Sequence, residues 1–200
     1  MIFSECGSSN NQRRWFVRYI CSFIGFSMVC IFFSCKLVTD NDSTSRTVSA
    51  FRIASGDLSG WTEDNASGYV EFTKNNMNAL VDGDAPKYVA QGMIEGFRQN
   101  LTSGKGSTLR VFVLDFGTDS LATAMVETKN KDISDPRSVP GFGDSSTVAD
   151  LSGLNAVSVF TSFGKYYFEL LFGGYPDQNE GLNTAALFLG YYQNKEQKLQ

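Results

Sequence analysis

The chain has 200 residues, 42% of them apolar and only 19% charged, with 17 Phe, 8 Tyr and 2 Trp; this is enough for one domain with a real core and excludes a disordered chain. There is no histidine anywhere, which excludes Ser-His-Asp and Cys-His catalysis, His-ligated zinc and His-ligated haem. Residues 35–200 carry 14 basic against 20 acidic groups, a formal charge of −6, so nucleic acid is not an expected partner.

Residues 1–34 read as a signal peptide or membrane anchor. Arg13, Arg14 and Arg18 precede or enter an uncharged apolar run from Tyr19 to Phe33, which has the length of a signal-peptide core. The run ends in Phe32-Phe33-Ser34-Cys35, which resembles the lipobox of bacterial lipoproteins. That resemblance implies lipidation of Cys35, although Phe32 and Phe33 are bulkier than the pattern prefers. The alternative is an uncleaved helix from Trp15 to Ser34, near the minimum length for a membrane span. In either case the basic end stays cytoplasmic and the rest is exported. The four cysteines, Cys6, Cys21, Cys30 and Cys35, all lie in this region, so the chain beyond has no thiol chemistry. Residues 35–47 are polar and aperiodic and read as a tether; residues 48–200 are expected to form one domain.

Val48 to Asn65 reads as extended chain wrapping onto the core, with Trp61 as a buried anchor. Tyr69 to Phe72 is a short strand, after which Thr73 is placed to cap a helix carrying Met77, Leu80 and Val81. A second short helix holds Tyr88 and Val89 and stops at Gly92. Ile94–Leu101 and Leu109–Phe116 form strands around the Gly-rich connector 102–108. Thr118 and Asp119 open a helix with Leu121, Ala122, Met125 and Val126 on one face, followed by a loop over 130–146. Ala156–Phe163 and Tyr166–Phe172 flank the tight turn Gly164-Lys165. Asp177 and Glu180 start a last helix that buries Leu182, Ala185, Ala186 and Leu189. The expected fold is α+β: an antiparallel sheet built from two strand–strand–helix units, with the helices packed on one face.

Several short patterns recur in a known group. Gly60-Trp61, Leu80-Val-Asp-Gly-Asp-Ala85 with Tyr88 and Gly92, Asp115-Phe-Gly117 with Leu121-Ala122, and Val159-Phe160 with Gly164-Lys-Tyr-Tyr167 resemble a family of uncharacterised exported bacterial proteins, grouped as a domain of unknown function. The resemblance spans Gly60 to Tyr192 and implies export and a fold, with no activity. Asp84 stands where that family has glycine.

Few constellations suggest chemistry. Asp82 and Asp84 are weak candidates for a hard metal ion, but a solvated helix end explains them better, because the regular ligand spacing of a calcium loop is missing. Asp40-Asn41-Asp42 lacks the glycine of such a loop. Gly104-Lys-Gly-Ser-Thr108 lacks the full phosphate-loop pattern and joins two strands, so it reads as a turn. Asp115 and Glu169 occupy matching places on two central strands and could form an acid/base pair. Tyr166, Tyr167, Tyr175, Tyr191 and Tyr192, with Phe160, Phe168 and Phe172, read as core or as an apolar groove. No catalytic residue and no cofactor is assigned.

The function these features favour is a membrane-tethered cell-envelope protein with a non-enzymatic ligand- or protein-binding domain. Its expected partners are the membrane, through lipid on Cys35 or an uncleaved helix, and an envelope protein. The domain would face the periplasm or the cell exterior. The alternative is a carboxylate-dependent hydrolase of the envelope, with or without a metal; a structural accessory subunit is a third reading.

Overall fold

A computed structural model of the chain describes residues 47–65, 68–81, 83–142 and 147–199. The expected leader, Cys35, residues 36–46 of the tether and Asp82 lie outside the described residues. After a 3-10 turn, Val48–Phe51, come β1 (Trp61–Glu63), β2 (Tyr69–Thr73), α1 (Met77–Leu80), α2 (Ala85–Ala90), β3 (Glu95–Ser103) and β4 (Thr108–Asp115). Then follow α3 (Asp119–Asp132), β5 (Thr147–Asp150), β6 (Ala156–Phe163), β7 (Tyr166–Gly173) and α4 (Gln178–Leu199). No helix among the described residues is long and apolar enough to cross a membrane.

All seven strands join one antiparallel sheet in the order β1-β3-β4-β7-β6-β5, with β2 also paired to β3. The α+β fold with an antiparallel sheet is therefore as the sequence predicts. β4 and β7 run side by side from Thr108↔Gly173 to Asp115↔Tyr166. They form the centre because their apolar residues are not confined to alternate positions. On β4, Leu109, Val111 and Val113 bury on one side and Leu114 on the other; on β7, Phe168 and Leu170 oppose Tyr167. Strands buried on both sides need cover on both sides.

This corrects the expectation that the helices share a face. α4 buries Leu182, Ala185, Phe188, Leu189 and Tyr192 in one core layer, while α3 buries Ala122, Met125 and Val126 in the other. A two-fold axis through the sheet between β4 and β7 would superpose the two strand pairs and keep both helices on one face. Their opposite placement breaks that symmetry. Two further expectations are corrected. Thr73 ends β2 instead of capping a helix, its amide donating to Asn76 Oδ1 at 2.7 Å. Trp61 is only partly buried, because it sits on the short edge strand β1 with its ring edge-on to Phe188 at 5.2 Å.

The face under α4 is the larger and more aromatic. Phe51 plugs it, its ring 4.7 Å from Tyr166 and 5.2 Å from Phe168. The adjoining segment is held by a side chain acting as a strand. The fully buried Gln99 accepts from the Ile53 amide at 3.0 Å and donates to the Ile53 carbonyl at 2.8 Å. α4 comes close at its first turn, where Gly181 leaves no room for a Cβ, which would lie 2.7 Å from Val157 Cγ2.

The opposite face is covered unevenly. α1 and α2 contribute Met77, Ala85 and Tyr88, and α3 lies across β5, β6 and β7. Toward the β3–β4 turn this face is open: Arg110 and Leu171 are exposed, and Asn100 and Thr102 are half-buried. The short edge strands β1 and β5 were not anticipated in the sequence.

Candidate functional site

Two acidic residues noticed in the sequence meet under α2, joined by a lysine. Ala122, Met125, Val126 and Lys129 fall at i, i+3, i+4 and i+7 of α3, so Lys129 is carried into the apolar stripe. It is only 7% exposed. A buried ammonium needs counter-charges, and it has two: Lys129 Nζ donates to Asp84 Oδ2, just before α2, and lies 3.6 Å from Glu169 Oε2 on β7. It also stands over the rings of Tyr88 and Phe160, at 5.3 and 5.4 Å. Glu169 Oε2 accepts in addition from the Tyr88 hydroxyl at 2.5 Å and the Tyr167 hydroxyl at 3.2 Å. Lys87 on α2 bridges Asp84 Oδ1 at 3.2 Å and Asp132 Oδ2 at 3.5 Å.

The electrostatics follow from this geometry. The hydrogen bond from Lys129 holds the Asp84 carboxyl below the usual carboxylate range, against the opposing effect of burial. Burial, reinforced by the Glu169 charge, pushes the Tyr88 and Tyr167 hydroxyls well above the ordinary tyrosine value. Both tyrosines therefore stay neutral donors at any physiological pH. Each Asp84 oxygen faces an ammonium, which takes the place a cation would fill. Among the described residues no group of three acidic, His or Cys side chains is arranged to hold a metal.

Asp115 and Glu169 are not brought together. Asp115 shares the side of β4 occupied by Val111 and Val113, whereas Glu169 shares the side of β7 occupied by Tyr167. Asp115 is instead bound to Lys165 Nζ at 2.6 Å and to the Gly117 amide at 2.6 Å. The two carboxylates face opposite sides of the sheet and cannot flank one substrate bond. Gly104–Thr108 is the β3–β4 turn, tied by Ser103 Oγ accepting from the Ser107 amide at 2.9 Å. Of the aromatic set, Tyr166, Tyr167, Tyr175, Tyr192, Phe160, Phe168 and Phe172 are buried core.

A cleft of about 880 Å³ opens beside the start of α4, of a size that suits a small-molecule or peptide ligand. Arg137, Asn155, Asp177 and Gln178 supply its polar groups, and Leu154, 93% exposed, projects from its lip. Asn155 adopts φ +53°, a conformation asparagine tolerates better than most residues. The sequence reading took Asp177 only as a helix start and passed over the rest, because loops carry no periodicity to mark them. Lys129 did have a signal, its place in an apolar stripe.

No protein-family model matches the chain, and no curated protein matches it. Among solved structures the fold is similar to that of the extracellular domain of PknH from Mycobacterium tuberculosis, with a TM-score of 0.53 and 13% sequence identity. The likeness covers 76% of this chain and 95% of that one.

Proposed function

We propose that this chain is an exported, membrane-tethered cell-envelope protein whose domain binds a ligand or partner protein without catalysing a reaction. The observation that carries the reading is the shared fold with an extracellular domain. The arginine-flanked apolar leader and the Ser34-Cys35 junction support it from the sequence side. On this reading the chain joins the uncharacterised exported proteins it resembles, and Cys35 bears the lipid. Two or three acyl chains, at about 0.8 kcal/mol per buried methylene, hold a protein stably on a membrane. The open cleft beside α4 and the separation of Asp115 from Glu169 favour binding over carboxylate catalysis.

Metabolic labelling of the full chain with a clickable palmitate tests this. Label is expected in the wild type, with loss of residues 1–34 by mass, and none in Cys35→Ser, while Cys21→Ser and Cys30→Ser label normally. A wild-type chain that takes no label and keeps residues 1–34 overturns lipidation. A domain accessible only from the cytoplasm overturns the whole reading.

A further inference from the structure

α4 carries two glycines, and only one has a reason within this chain. Gly181 lies against Val157 and has no room for a side chain. At Gly190 an added Cβ would meet nothing within 4 Å. Glycine inside a helix costs stability relative to alanine, and nothing in one copy of the fold offsets that cost. A surface approaching from outside would. Three residues earlier stands Leu187, 70% exposed, although α4 buries its other large apolar residues against the sheet.

These two residues belong to a longer row. Glu180, Asn183, Leu187, Gly190, Asn194 and Gln197 follow one another along α4 at steps of three, four, three, four and three. That is the spacing of a seam between paired helices, and all but the half-buried Gly190 are exposed. The spacing reads the same from either end. Turned antiparallel onto a second copy about its midpoint, the row sets Leu187 opposite Gly190, Asn183 opposite Asn194, and Glu180 opposite Gln197 beside Lys198. A leucine then meets the gap that glycine leaves, and the paired asparagine amides both donate and accept. Parallel pairing would set Gly190 on Gly190 and Glu180 on Glu180, a void and a repulsion. Charge points the same way. Residues 181–194 hold no charged side chain, in a region, 35–200, whose formal charge of −6 otherwise drives two copies apart.

We propose that α4 pairs with α4 of a second copy of this chain, antiparallel about a two-fold axis midway between Leu187 and Gly190. A two-fold contact requires a surface that complements itself, which this row does; an unrelated partner would have no need of the symmetric spacing. The seam from Glu180 to Gln197 is about 25 Å long at 1.5 Å per residue. One helix pair covers less than the roughly 800 Å² per partner of a standard interface, which sets the affinity in about the micromolar range. Asn183, Leu187, Gly190 and Asn194 do not line the cleft beside α4. The pairing therefore rests neither on ligand binding in that cleft nor on lipidation of Cys35.

Sedimentation equilibrium of the full chain in a density-matched neutral detergent, under reductant, tests this. The wild type is expected to pass from monomer to dimer between about 1 and 500 µM. Leu187→Glu, which sets two carboxylates at the axis, and Gly190→Gln, which fills the place Leu187 takes, should each weaken pairing about tenfold or more. Gly190→Gln should unfold at no lower temperature than the wild type, since one copy leaves that space empty; its loss of pairing is then not a loss of fold. Leu154→Glu, at a leucine 93% exposed elsewhere on the surface, should pair as the wild type does. A wild type that stays monomeric, either α4 variant pairing unchanged, or Leu154→Glu weakened as much as they are, overturns the proposal. A photo-cross-linker in place of Leu187 that captures only a different envelope protein in membranes would overturn the second copy as the occupant.

Discussion

Against one face of the sheet, Phe51, Phe168, Phe172, Phe188 and Tyr192 lie ring against ring; against the other, an ammonium sits between two carboxylates, one of which also accepts from two tyrosine hydroxyls. The first arrangement draws its energy from apolar area and packing, which are non-directional and spread over many contacts. The second depends on a few directional bonds, each of which leaves a buried charge exposed to its loss. The aromatic face is also covered by α4 over β6 and β7 and by the Val48–Phe51 turn over β3 and β4, while the charged face is covered only in part. Apolar burial is concentrated on the first face, while the second relies on the few bonds around Lys129.

The comparison can be broken by substitution. Phe168→Ala should cost most, about 4 kcal/mol, since it empties the centre of the ring cluster; a loss below about 1.5 kcal/mol in urea unfolding would show that the face does not carry the core. Lys129→Met should cost about 3 kcal/mol, because it leaves Glu169 without its cation and Asp84 with Lys87 alone. The same variant has a pH signature. The Asp84 carboxyl is held low by its bond from Lys129, so the stability this contributes is complete above the ordinary carboxylate value of about 3.9 and is lost as the pH falls through the lowered one. Unfolding midpoints followed into acid should fall less steeply in Lys129→Met than in the wild type. Equal slopes would remove Asp84 from the network.

A single kind of change sharpens the contrast further. Tyr88→Phe takes a donor from Glu169 and should cost about 2 kcal/mol. Tyr192→Phe, on the aromatic face, removes a buried hydroxyl that has no partner among the described residues. It should raise stability by about 1 kcal/mol, the smallest effect and the only one of opposite sign. A destabilising Tyr192→Phe would reveal an acceptor for that hydroxyl within the core.

The long hairpins were legible because β4, β6 and β7 carry apolar residues in runs too dense for loops, closed by a two-residue turn at Gly164-Lys165. β1 and β5, of three and four residues, are too short to show an alternation. Which face a helix takes was not legible: when Val113 and Leu114 are both apolar, the strand gives no preference, and the connection decides. The polar network was half legible. Asp84 and Glu169 were both noticed, each paired with the wrong neighbour in the sequence, because the group that joins them is a lysine hidden in a helical stripe. Asp115 and Glu169 looked equivalent because each stands on a central strand, but Asp115 closes β4 while Glu169 lies within β7, and alternation along the two strands sends them to opposite sides.

The attachment of the leading segment has a mechanical consequence. Tension applied to the chain upstream of Thr47 does not first shear a strand from the sheet edge. It is delivered to Phe51, wedged among Tyr166, Phe168 and Tyr192, and to the backbone beside it, clasped by Gln99 from the sheet and by Lys195 Nζ on the Arg52 carbonyl from α4. The load is thereby shared at once between the central strands and the long helix, so the element nearest the pulled end yields only when the aromatic layer itself opens.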